Sequence, residues 1–585
     1  MEQNLDVVDL VSSLLDSGKY KEALNISIEE KYANCFKDNC WDLISVIVGK
    51  IQVDTMIIKP SLYGTCEELL AIIVQKATPE EALLEFIEQI EVAKNDAQFA
   101  IILEPLQQLL LKLSIKRGRS LEWCLNSIST YIETIPIPEH HLEEKERLLL
   151  DCDANIRRII KIYSLLPPFF GPFVKETVVS NINHRTAEIL AAFLISLLGK
   201  PLIYVDLDPD SNKNSEARTC ANTIIQDICT LAKNIYKFLD YVELHFKQDQ
   251  KQKSKNVVVS DSEEELSPYD HKEKINMTTL SGLFYTTLSG HFTLPDFALP
   301  LVYSSEYVTN TVLLCVVHLL SFAQYGPLAK GISLCYKILN NDPNKFIHTV
   351  LTNPVHYNLC KSLVNISIYS SYDYTRKEAV KLIDNHIMKF DYKGRCMLIK
   401  YILDTANHSG MIGFAITLYK NSIDKAFQDP ELPECFTGVH LMGMIKKICY
   451  LPHGPESDLV ELADQIITAL NFLRYLALKD TCNKTGIREY FSLIEDDYLK
   501  NLRTGLNMSK AHYEVKLKDI EEAKALPEEQ VEVSINVGGN LLDKIPTENK
   551  KQIIHSALNA FHLIEGLVAR LSECMTVNKT QEIVA

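Results

Sequence analysis

ATPEEALLEFIEQIEVA, Ala77 to Ala93, carries a helix start signal followed by an amphipathic run. Pro79 suits the first position of a helix, because the amide hydrogen it lacks would be unbonded there anyway. Thr78 is expected to cap the amide of Glu81, with Glu81 reaching back as the acid of a capping box. Leu83, Leu84, Ile87 and Ile90 then form one apolar face at helical spacing. Such a face needs a partner helix.

The pattern recurs along the chain. In GPESDLVELADQIITALNFLRYLALKD, Ser457 or Asp458 is expected to start a helix whose stripe is Leu459, Leu462, Ile466, Ala469, Leu473 and Leu476. IIHSALNAFHLIEGLVARLSEC repeats it through Ile554, Ala557, Phe561, Ile564, Val568 and Leu571. At the N-terminus, VVDLVSSLL, a DSGKY turn and KEALNISIEEKY read as a helical hairpin. With Gly only 21 and Pro 22 in 585 residues, turn residues are too few for many short strands.

Helix pairs at roughly forty-residue spacing fit an all-α, HEAT-like α-solenoid of irregular hairpins; a set of unrelated helical domains is the alternative. The expected divisions are N-terminal helical repeats at 1–245, a charged loop or hinge at 246–274, middle repeats at 275–372 and C-terminal repeats at 373–585. In the loop, Ser260 and Ser262 lie beside Asp261 and Glu263 to Glu265 as candidate phosphorylation positions; an unregulated solvated insertion is the other reading. QVEVSINVGGNLLDKIP alternates Val531, Val533, Ile535 and Val537 before Gly538 and Gly539, so a short strand or extended loop is expected near 530–540.

Composition narrows the function classes. Sixty Lys plus Arg against 76 Asp plus Glu give a net charge of −16, which disfavours nucleic acid and anionic membrane surfaces as partners. AEILAAFLISLLG and TVLLCVVHLLSFA fall short of the roughly 20 residues a membrane span needs and read as buried helices. The opening MEQNLDVVDLVSSLLDSG lacks a basic start and a cleavage site, and the 15 cysteines include no C-x-x-C. A reduced, cytoplasmic protein is expected, with the nucleus also open.

No phosphate-binding glycine loop and no nucleophile elbow occurs. His140 and His141 are adjacent on the chain and diverge, so they read as a surface helix start. Asp373 and the Glu495, Asp496, Asp497 cluster have no companion base and read as solvated helix ends. Cys396 and Cys449 have basic neighbours that could lower a thiol pKa, yet each falls in an apolar stripe. No catalytic set, cofactor, metal or small-molecule substrate is expected. What remains is surface: Asn471, Arg474, Tyr475 and Leu478 lie opposite the Leu459 to Leu476 stripe, either packed in a deeper layer or offered to a protein.

Four C-terminal stretches resemble the glomulin family: LDTANHSGMIGFAITLYKNSID, SDLVELADQIITALNFLRYLALKD with NKTG, YLKNLRTGLNMSKAHYE and IIHSALNAFHLIEGLVARL. GLNMSKAHYE is the most specific, because helix formation does not force its composition. In the first two thirds the resemblance is mainly one of helical texture and length. It implies a non-enzymatic inhibitor of cullin-RING ubiquitin ligases that binds the RING-box subunit and masks the docking surface of the ubiquitin-conjugating enzyme. Carried over at matching positions, the protein-binding residues would be Asn407, His408, Lys420, Asn471, Arg474, Asn507, Lys510 and Tyr513. For each, a hydrogen bond between repeats is the competing role, and Lys510 has Glu514 one turn away as a solvent-exposed partner. The alternative function is a general HEAT-type scaffold or adaptor that binds other cytosolic proteins through its N-terminal repeats.

Overall fold

The computed structural model describes residues 7–113, 117–140, 142, 144–180, 184–210, 213–254, 271–289, 292–298, 302–341, 345–523, 536–537, 540–541 and 547–584. They form α-helices joined by short turns and 3-10 segments, grouped into two compact units, Met1–Asn341 and Asp342–Ala585.

The first unit opens with the expected hairpin, Val7–Asp16 and Tyr20–Ile28. The helix read from ATPEEALLEF spans Pro79–Glu91 with proline in its first turn, but the capping box does not form: Thr78 makes no side-chain cap bond. Its buried face is also rotated. Ala82, Leu83, Phe86 and Ile90 are buried and Leu84 is 55% exposed. Phe86 has the most apolar area to remove from water and is fully buried in a helix that packs on Asp96–Lys112 and Arg117–Glu133. The two apolar stretches fall in the helices His184–Ser196 and Ser305–Leu319, both largely buried. No described helix is long and apolar enough to cross a membrane.

A buried polar cluster ties this unit together. Arg218, fully buried on Glu216–Ala232, donates from Nε to Asp208 Oδ1 at 2.8 Å and from Nη2 to Ser289 Oγ at 2.8 Å. Its guanidinium lies over the Tyr285 ring, whose hydroxyl donates to Asp208. Lys330 donates to the Ile203 carbonyl at 2.8 Å and to that of Val205, and burial lowers its pKa to about 7. His140, read as a surface helix start, instead stacks on Tyr325 at 3.6 Å in an extended segment; His141 lies outside the described residues.

Of the segment expected as a loop at 246–274, residues 246–254 belong to the helix Leu239–Ser254 and His271–Lys274 form a 3-10 turn; residues 255–270 lie outside the described residues. Ser260 and Ser262 lie outside the described residues. The extended stretch near 530–540 contributes two short antiparallel strands, Asn536–Val537 and Asn540–Leu541. Val531, Val533 and Ile535 lie outside the described residues.

In the second unit helices pack mainly on neighbours along the chain and on the helix one hairpin further on. Val355–Tyr369 meets Asp373–Met388 and Tyr392–Thr405; Tyr392–Thr405 meets Ser409–Ala426 and Gly438–Ile448. Ser409–Ala426 then meets Ala463–Lys479, which meets Thr547–Val584. This nearest-neighbour packing is the HEAT-like, all-α arrangement the periodicity implies. The helix expected from Ser457 or Asp458 begins at Ala463, because both side chains serve the turn before it. Asp458 Oδ1 accepts from the amides of Val460 and Glu461, and Ser457 Oγ accepts from that of His453. All six stripe residues from Ile554 to Leu571 are buried.

Candidate protein-binding face

Ser409–Ala426 and Ala463–Lys479 run parallel, as the contacts at their two ends show. At the start, Ser409 Oγ accepts from the Gln465 amide at 3.1 Å. At the end, Tyr475 OH donates to Asp424 Oδ1 at 2.6 Å. Between them Tyr419 meets Phe472 edge-on at 5.6 Å. Every third or fourth side chain of the second helix is therefore left facing outward.

That outward row carries the predicted residues. Asn471 is exposed, Leu478 is 56% exposed, and Arg474 and Tyr475 are half-buried. Lys420 reaches across from the neighbouring helix, its ammonium 5.2 Å from the centre of the Tyr475 ring. Burial and then the Asp424 carboxylate raise the Tyr475 phenol, so it stays a neutral donor. Arg474 differs from all of these, because its Nε is buried and has no hydrogen-bond partner.

Asn407 and His408 are exposed at the other end of the same pair, some ten residues or about 15 Å along the axis from Arg474. His408 caps the Ser409–Ala426 helix, its Nδ1 accepting from the Met411 amide at 3.3 Å. Its placement is explained without a partner protein.

The third group sits on Lys500–Ala523, which lies against Thr547–Val584. Arg503 anchors this pair by binding Glu495 and donating to Ser572 Oγ at 2.7 Å. Glu495 belongs to a π-helical turn, Glu495–Leu499, and Asp496 pairs with Lys500, so this acidic cluster is committed to the fold. Asp373 likewise pairs with Arg376 and Lys377 at its helix start. Gly505 faces the Pro455 carbonyl so closely that a Cβ there would sit 2.7 Å from the oxygen. The glycine of GLNMSKAHYE is thus a packing requirement.

Asn507 is exposed. Lys510 does not pair with Glu514 as expected; it binds Glu565 of the adjacent helix at 2.7 Å and holds that carboxyl below its usual range. Tyr513 leans its edge on Phe561 at 5.5 Å, with Lys516 over its ring. Two apolar side chains that the sequence did not single out, Met508 and Leu563, are each about half exposed on this helix pair. Their signal is visible only once the two helices are known to pack together.

Cys449 is half-buried and its thiol is raised by desolvation, against the hint from its basic neighbours. Among the described residues no group of three or more His, Cys, Asp or Glu side chains converges to hold a metal ion. The face can offer cations, amides and apolar area to a protein surface.

Residues 13–548 match a family model described as "Uncharacterised protein family, YAP/Alf4/glomulin". Glomulin of Homo sapiens is 27% identical over 576 residues, covering 96% of this chain and 92% of that protein. Glomulin of Mus musculus is 26% identical over 575 residues with the same coverage. Among solved structures, the karyopherin Kap121p bound to the extreme C-terminus of the phosphatase Cdc14p aligns with 90% of this chain and 54% of its own, at 10% identity and a TM-score of 0.22. The match to the family model spans both units, and on it the chain belongs to the YAP/Alf4/glomulin family.

Proposed function

We propose that this chain is a non-enzymatic, cytoplasmic regulator that binds the RING-box subunit of a cullin-RING ubiquitin ligase and covers the surface where the ubiquitin-conjugating enzyme docks. Arg474 carries the reading. The Nε of this half-buried guanidinium is buried without an acceptor, so the side chain is not tied down by its own fold, and its surface part is open to a carboxylate or carbonyl on a docking protein. Leu478 and Asn471 beside it supply apolar area and an amide, the mixture found at interface centres and rims. The relatives named glomulin support the choice of partner.

Inhibition would be steric: two proteins compete for one patch and no bond is made or broken. A reconstituted ubiquitin-chain assay tests this. A stoichiometric amount of the protein is expected to suppress chain synthesis and to co-elute with the RING complex. Arg474→Glu should weaken that complex at least about thirtyfold, the equivalent of a 2 kcal/mol hot spot. Unchanged chain synthesis together with no co-elution would end the reading.

A further inference from the structure

A groove of about 640 Å³ lies between Tyr392–Thr405 and the segment leading into Gly438–Ile448. Lys393, Met397 and Lys400 line one side, Val439 and Met444 the other, and both Cys396 and Cys435 open into it. Cys396 sits on the first helix and Cys435 in the 3-10 turn Glu434–Phe436. Cys396 Sγ lies 4.0 Å from the Cys435 carbonyl oxygen, which places the two cysteines side by side on the groove wall. Both side chains are partly accessible, whereas seven of the fifteen cysteines are fully buried.

We propose that Cys396 and Cys435 form a peroxide-reactive thiol pair, a modification site that closes to a disulfide on reaction with a hydroperoxide. The pair has the arrangement of an oxidation-sensitive site: an accessible nucleophilic thiol with a resolving thiol in reach. Cys396 Sγ points its hydrogen at the Cys435 backbone carbonyl, and the closeness of the two thiols lowers that of Cys435 while that of Cys396 is raised. Cys435 is therefore the attacking sulfur.

In the first step Cys435 thiolate attacks the peroxide oxygen; an S–O bond forms, the O–O bond breaks, and the departing oxygen takes a proton to leave as water or an alcohol. Cys396 then loses its proton and attacks the Cys435 sulfenic acid; the S–S bond forms and the S–O bond breaks, releasing water. Two thiols lose two electrons and two protons, and the hydroperoxide accepts both. The new covalent loop would enclose residues 397–434, including the helix that carries Lys420. Oxidation would thus act on the scaffold behind the candidate face, and the proposal does not depend on which partner that face binds.

The test is peptide mapping of the full chain after titration with hydrogen peroxide, without reduction. Trypsin places Cys396 in peptide 396–400 and Cys435 in peptide 426–446, each with a single cysteine. The expected product is these two peptides joined, at a mass two hydrogens below their sum, before the other cysteines react. In Cys396→Ser, dimedone should trap Cys435 as its sulfenic acid; in Cys435→Ser, Cys396 should remain a thiol. Joined peptides involving other cysteines first, or consumption of both thiols with no link between 396–400 and 426–446, would overturn the proposal. The wild-type map decides even where a variant fails to fold.

Discussion

Arg218 and Arg474 lie in different units and meet opposite environments. Arg218 is wholly buried, and its guanidinium is distributed over Asp208, Ser289 Oγ and the Thr286 carbonyl, at 3.3 Å, with Tyr285 beneath it. Arg474 is half-buried on an outward helix face, and its Nε has no acceptor. A cation enclosed by its own fold specifies how helices pack; one whose partners are missing leaves the packing nearly indifferent to its loss. The difference separates a charge completed by the fold from one the fold leaves incomplete.

The largest expected effect breaks the closed side of that comparison. Arg218→Ala leaves Asp208 and the Tyr285 hydroxyl without their cation, and removing one member of a buried pair costs about 3–5 kcal/mol. Urea unfolding should show an early loss of helix in this variant, while Arg474→Ala stays within about 0.5 kcal/mol of the parent, as surface substitutions do. Equal losses in the two variants would erase the distinction.

A second closed polar pair sharpens it within the other unit. His356 Nδ1 and His386 Nε2 are 3.0 Å apart, both rings are buried, and His386 Nδ1 has no partner. Burial lowers the pKa of His356 from 6.5 to about 4 and holds that of His386 well below its usual range. A folded-state pKa below the unfolded one means that the unfolded chain binds the proton first. Stability is therefore retained above about pH 6.5 and falls as pH drops from there toward 4. For His356 alone the loss by pH 4.5 is on the order of 2–3 kcal/mol. Unfolding titrations at pH 7.5 and 4.5 measure it, and His386→Leu should reduce the acid sensitivity; the same acid sensitivity in that variant would place the titrating group elsewhere.

How much of this was legible in the sequence depends on whether a feature is local. The stripe from Ile554 to Leu571 is local, and all six residues are buried as the 3.6-residue period requires. The outward row of Asn471, Arg474 and Leu478 follows from the same period. Thr78 shows the limit even for local signals, since a matching motif does not guarantee the cap geometry. Which apolar face is buried was decided by Phe86 and the helices it meets, not by the count of leucines. Lys420 on Tyr475, Gly505 beneath Pro455 and Cys396 beside Cys435 depend on inter-helix register, which spacing along one helix does not encode.

Lys510 gives the smallest effect and lies between the two classes. Its ammonium is bound to Glu565 at 2.7 Å, yet Glu565 is half exposed, so the pair contributes only about 0–1 kcal/mol to the fold. Lys510→Glu should lower stability by no more than that, and Lys510→Glu with Glu565→Lys should recover it by restoring the pair with its charges exchanged. Binding to a RING complex separates the roles. If Lys510 only joins the two helices, the exchanged pair binds like the parent. If it forms the edge of the interface, the single and double variants bind equally weakly, because the partner meets a carboxylate at position 510 in both. An affinity restored by the exchange would move Lys510 beside Arg218, among charges completed by the fold.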